Sequence, residues 1–119
     1  MELVTGGVYQ GKLDYAREKY GLDDSDIFIC TDEPVLDTSR RCIYGLERYI
    51  LSCVRAGVQP EPDFPEDAVI ICRDIFCGVV PYEREERLWR EETGKAFTAL
   101  AARADTVTRI FCGIAQKIK

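Results

Sequence analysis

The sequence predicts a three-layer α/β domain on a mainly parallel sheet of about four strands, and three observations predict it. Short apolar runs rich in β-branched residues recur along the chain: ELVTG from Glu2, DIFICT from Asp26, DAVIIC from Asp67 and TVTRIFCGI from Thr106. Longer stretches with helical spacing lie between them. That alternation implies parallel pairing through right-handed crossovers, with helices on both faces. The expected strand order is 2-3-1-4, and the 119 residues suit a single domain, 1–119.

The first strand, ELVTG, is bounded by glycines. GKLDYAREKYG follows as a helix, with Leu13, Ala16 and Tyr20 on one face and Gly21 as its stop. DIFICT is the second strand, and TDEPVLDTSR a loop punctuated by Pro34. Ile43, Leu46, Ile50, Cys53 and Val54 recur at helical spacing, which predicts a helix from Ser39 to Ala56, closed by Gly57. QPEPDFPED is a Pro-rich acidic connector to the third strand. Beyond Pro81 a long helix is expected over Tyr82 to Ala104. Its first half is charged nearly all round, and i,i+4 pairs such as Glu83–Arg87 and Glu86–Arg90 suit a solvated face. The fourth strand leaves QKIK as a short tail.

Bulk properties narrow the function. The net charge of −5 argues against a nucleic-acid partner, which needs a basic face. It leaves room for a nucleotide or other phosphate ligand, which needs only a local cradle. No run approaches the roughly 20 apolar residues of a membrane span, and MELVTGG lacks the basic and apolar regions of a signal peptide. The expected compartment is the cytoplasm, with no membrane partner. There is no histidine, and none of the six cysteines stands in a CxxC pair, so a structural zinc is not expected. Cys30, Cys72 and Cys112 sit in apolar runs and read as inert buried thiols, whereas Cys77 follows a strand end and could be accessible.

In parallel sheets, ligands sit beyond the carboxyl ends of the strands. There GGVYQGK joins the first strand to the first helix, the setting that a phosphate-binding loop requires. Glycines let backbone N–H groups turn inward, the helix start adds positive potential, and a lysine reaches the phosphates. Gly6, Gly7, Val8, Tyr9, Gln10, Gly11, Lys12 and Leu13 are the candidate phosphate-binding residues. Leu13 stands where such loops carry a Ser or Thr hydroxyl for Mg²⁺. Asp14 is next, but on a helix it points about 100° away. Asp32, Glu33 and Asp74 lie near strand ends. Asp32 and Asp74 are candidates to hold a metal through water, and solvated loop charge or helix capping is the plainer account of Asp32 and Glu33. Because Leu13 offers no oxygen, binding is expected to depend on Lys12 and hardly on Mg²⁺. Arg73 reads either as a phosphate contact or as a surface arginine, and Trp89 as a core or interface anchor.

From Ile70 to Lys119 the chain resembles the C-terminal part of the bifunctional adenosylcobinamide kinase / adenosylcobinamide-phosphate guanylyltransferase family of cobalamin biosynthesis. Asp74 stands for that family's Glu, followed by Gly78, Val79, Val80 and Pro81. Arg87, Trp89, Arg90, Glu91 and Gly94 match its next helix, Ala104, Asp105 and Val107 its A-D-x-V, and Gly113 and Ile114 its last strand. ELVTGGVYQGKLDYA resembles the family's L-V-T-G-G-x-x-S-G-K-S-x-Y-A. The resemblance implies a P-loop NTPase-like fold, catalytic roles for Lys12 and Asp74, Mg²⁺ with GTP or ATP as cofactors, and helices able to pack in a homo-oligomer.

The departures carry as much information. The family's loop serines are Gln10 and Leu13 here, and its Asn before the Glu is Arg73. Its Asn-Gln pair after the glycine is Phe97-Thr98. Its guanylylated histidine has no counterpart, so the phosphoramidate route of guanylyl transfer is closed. The chain also reads as a shortened member, with one helix and the connector replacing the family's histidine-bearing helix and Walker-B-like strand between the second and third strands. This leaves two readings: a diverged P-loop protein that still binds nucleotide or phosphate, with any remaining activity of the kinase type, or a non-catalytic interaction module that keeps the fold (a pseudoenzyme).

Overall fold

The sheet is organised about β1 (Glu2–Gly6), which pairs in parallel with β4 (Val69–Arg73) on one side and β5 (Thr106–Phe111) on the other. A computed structural model describes residues 1–61 and 63–119. Part of the expected Pro-rich connector, Pro62, lies outside the described residues. Outward from β4 come β3 (Cys42–Tyr44) and β2 (Ile27–Ile29), both parallel. Outward from β5 comes β6 (Ile114–Lys117), antiparallel. The order is β2-β3-β4-β1-β5-β6. The four expected strands keep the order 2-3-1-4, with β3 wedged between two of them and β6 added at the edge.

The inner strands are apolar on both faces, so alternate residues feed two cores. Leu3, Ile43, Ile70, Cys72 and Val107 face α2 (Leu46–Ala56) and α3 (Arg84–Arg103). Val4, Cys42, Val69, Ile71 and Ile110 face α1 (Lys12–Tyr20), which adds Ala16. Each fully buried Val, Leu or Ile contributes ~1.5–3 kcal/mol, and β1 and β4 supply such side chains to both cores at once. One helix on one face and two on the other make three layers.

Three sequence expectations need correction. The helix expected from Ser39 begins only at Leu46, because Cys42–Tyr44 form β3. Gly45 separates the two with a left-handed backbone (φ 81°) that breaks the helical run, and its N–H donates to the Ile71 carbonyl. A strand therefore does stand between the expected second and third strands, where only a helix and a connector were foreseen. Secondly, the first half of the tail QKIK, Gln116 and Lys117, is strand. Cys112 and Gly113 both have positive φ, 52° and 74°, which suits the tight turn of a hairpin, so the chain doubles back as β6. Thirdly, Arg87 and Arg90 do not pair along their helix. Arg87 donates to the Tyr82 carbonyl and Arg90 to the Cys77 carbonyl, so both hold the preceding loop, and α3 joins α2 through Arg55–Glu85 at 2.9 Å.

Gly6 ends β1 against β5 so closely that an added Cβ would lie 2.4 Å from the Ile110 carbonyl oxygen, at a φ of 152°. Gly6→Ala is therefore expected to combine backbone strain with a clash and to lower stability by ~1–3 kcal/mol. Gly45→Ala meets nothing closer than 3.9 Å and carries only the left-handed term, ~1–2 kcal/mol. Urea unfolding of both variants checks this; an unchanged midpoint for Gly6→Ala would contradict the packing described.

Candidate functional site

β1 delivers the glycine loop to the carboxyl end of the sheet, and three contacts fix it there. The Gly6 carbonyl accepts the Asp74 N–H at 2.8 Å, tying the loop's root to β4. The Gln10 carbonyl accepts the Gly113 N–H at 3.1 Å, and Gln10 Oε1 accepts the Cys112 N–H, tying the loop's far end to the β5–β6 turn. Gly11 then caps α1 at its N-terminus. A loop held at both ends keeps its N–H groups at the helix start, where the dipole favours an anion.

Lys12 is the first residue of α1 and is only 7% exposed. Its Nζ donates to the Gly7 carbonyl at 2.6 Å, so the ammonium folds back over the loop. Burial lowers its pKa; the Glu47 carboxylate nearby raises it in part, and the Arg73 guanidinium lowers it further. Beside it opens a cavity of about 500 Å³. Val8, Tyr9, Gln10, Gly11, Lys12 and Leu13 line its loop side, and Ile29, Tyr44, Ile71 and Arg73 reach it from the ends of β2, β3 and β4. Tyr9 is 97% exposed and Leu13 packs toward the core beneath α1, so neither fills the loop.

The expected carboxylates lie elsewhere. Asp74 faces an adjoining cavity of about 310 Å³, shared with Cys77, Glu86, Trp89 and Arg90, and its Oδ1 accepts the Phe76 N–H at 3.0 Å. Asp32 and Glu33 are exposed and line neither cavity. Arg73 lines both, with its guanidinium 6.0 Å from the centre of the Trp89 ring.

The residue that sequence reasoning missed is Glu47. It is 7% exposed, lines the loop cavity, and its Oε2 accepts the Arg73 N–H at 2.9 Å. Its backbone carbonyl accepts the Trp89 indole N–H at 2.7 Å. Under a helix running from Ser39, Glu47 was one polar residue on a long amphipathic face. Gly45 was the signal: with the helix starting at Leu46, Glu47 falls in its first turn, at the sheet's carboxyl end.

Among the described residues no three His, Cys, Asp or Glu side chains gather as a metal cage. Magnesium with nucleotides needs less, one or two carboxylates with phosphate oxygens and water. Glu47 and Asp14 are the carboxylates on the loop cavity, so its donor set fits a phosphate-bound cation and not a dedicated protein site.

All six cysteines are free thiols. Burial pushes Cys30, on the cavity wall, and Cys42 each up to about 12, and Cys72 well above its ordinary value. These thiols bind their proton more tightly folded than unfolded, where they ionise near 9.0. Their contribution to stability is thus complete below pH 9 and drains away as pH rises from about 9 to about 12. Urea midpoints should fall across that window, and less steeply in Cys30→Ala/Cys42→Ala; equal slopes would contradict the assignment. Cys112, expected to be buried, is instead exposed where the chain turns between β5 and β6, so at pH 8 a thiol reagent should reach only Cys77 and Cys112 before unfolding.

Residues 40–118, about two thirds of the chain, match the model of the family described as cobinamide kinase / cobinamide phosphate guanyltransferase. The match takes in β3 through β6, including Glu47, Arg73 and Asp74, and leaves the glycine loop outside it. No curated protein matches the chain.

Proposed function

The chain belongs to the cobinamide kinase / cobinamide phosphate guanyltransferase family, and from that premise we propose that it binds the phosphates of a nucleotide in the glycine loop while lacking the guanylyl-transfer step. One observation carries the binding half. The loop is held at both ends around a cavity of about 500 Å³, with a nearly buried lysine at its wall whose ammonium has only a backbone carbonyl as its hydrogen-bond partner among the described residues. A neutral carbonyl is a weak substitute for an anion beside a desolvated ammonium, so a phosphate that draws Nζ off Gly7 gains a charge-assisted bond. The open loop also weighs against the pseudoenzyme reading, in which Tyr9 or Leu13 would occupy it. GTP and ATP are the candidate ligands, and any surviving transfer is of the kinase type, with Lys12 on the phosphates.

The second half rests on composition. Guanylyl transfer through a phosphoramidate needs an imidazole nucleophile, and the chain has no histidine.

Two measurements test these halves separately. A charge-assisted contact is worth ~1.5–3 kcal/mol, so Lys12→Ala should weaken GTP or ATP binding roughly 10- to 150-fold by calorimetry. Lys12→Met keeps the buried stem packed and should lose as much, since the charge is what matters. Equal affinities in wild type and both variants would overturn the loop assignment, and no binding by the wild type would return the chain to the interaction-module reading. Incubation with labelled GTP and Mg²⁺, followed by denaturation, should leave no label on the chain; acid-labile label retained on it would show that another nucleophile has replaced the histidine.

A further inference from the structure

Three cationic side chains, Lys12, Arg48 and Arg73, and two carboxylates, Asp14 and Glu47, line the loop cavity. Their balance of +1 is small against the several charges of a nucleoside triphosphate. Glu47 aggravates the shortfall, because a nearly buried carboxylate beside a polyphosphate repels it in a medium that screens weakly. A divalent cation between the two removes both problems. Glu47 has room for it: Oε2 accepts the Arg73 N–H, and the carboxylate's other side-chain partner is the weakly donating Cys72 thiol, which leaves lone pairs for a cation.

We infer that Glu47 holds the divalent cation that accompanies the nucleotide, directly or through water, and so supplies from α2 the oxygen that Leu13 lacks on α1. The inference rests on the phosphate-loop reading above. It reverses the expectation, drawn from Leu13, that magnesium matters little. It also moves the metal from Asp32 and Asp74, which line other surfaces, to Glu47, the buried one of the two carboxylates that share the cavity with Lys12. The Arg73 N–H contact sets the orientation of the side chain: β3 ends its pairing at Tyr44–Ile71, so the Arg73 N–H lies beyond the ladder and takes the carboxylate instead. That contact is also the competing explanation, a purely structural cap.

Glu47→Gln separates the two, because an amide oxygen still accepts the Arg73 N–H while the charge is gone. The experiment is calorimetric titration of wild type and Glu47→Gln with GTP, in Mg²⁺ and in chelator. Wild-type affinity should rise at least tenfold with Mg²⁺. The variant should bind in chelator as well as wild type or better, since a repulsion is removed, and should gain less than threefold from Mg²⁺. A variant that keeps the full magnesium gain overturns the inference and leaves Glu47 a structural cap. Wild-type binding indifferent to Mg²⁺ overturns it too, with the phosphate loop untouched. No binding under either condition overturns the loop reading and this inference together.

A second readout uses the folded wild type. Trp89 is the sole tryptophan, and its indole N–H donates to the Glu47 carbonyl. Mn²⁺ with GTP should broaden the single indole N–H proton resonance far more than Mn²⁺ alone at the same concentration. Equal broadening, or none, contradicts a nucleotide-dependent cation at Glu47.

Discussion

The site depends on one close approach, the end of β1 against β5 at Gly6. A strand with partners on both sides, its side chains buried in two cores, has no freedom to shift. Its carboxyl end is therefore a fixed point, and with no side chain at Gly6 the backbone can pass within contact of the Ile110 carbonyl before turning into the loop. The loop, the first turn of α1 and Lys12 on that turn all inherit their position from this point. The neighbouring strands then bring the other walls. β4 ends in Arg73, and β3, leading at once into α2, brings Glu47.

Burial of charge at this end works in opposite directions. Desolvation disfavours the Lys12 ammonium, and the nearby Glu47 carboxylate partly restores it. Neither is tied off in an ion pair with the other; Lys12 turns to Gly7 and Glu47 to Arg73. Two opposite charges kept in one cavity without pairing to each other stay available to a ligand that needs both, an anion for the lysine and a cation for the carboxylate. A fully formed buried salt bridge would have consumed them and been costly to open.

The layers were legible in the sequence because β1, β4 and β5 are short runs rich in β-branched and apolar residues, separated by helical periods. β3 was not, for a specific reason. Ile43 and Leu46 happen to lie three residues apart, so a three-residue strand, a glycine and a helix together mimic one helical face. A strand buried on both sides has no alternation to betray it. β6 was hidden by the opposite property: all its residues are exposed, so nothing in its pattern marks a face, and only the turn at Cys112-Gly113 sets it. The loop residues Val8 to Leu13 lie together around one cavity, as local sequence dictates. Glu47 was invisible because its place depends on where a helix starts, and nothing in the spacing of Asp74 shows that its carboxylate turns back onto the Phe76 N–H.

The central claim is that the glycine loop is a phosphate cradle, and it is tested most directly by amide chemical-shift mapping of the wild type with inorganic tripolyphosphate. The account predicts saturable shifts concentrated on the amides from Gly7 to Leu13, with smaller ones at Gly113, whose N–H is bonded to Gln10. Shifts centred on another surface, or none at millimolar ligand, would contradict it.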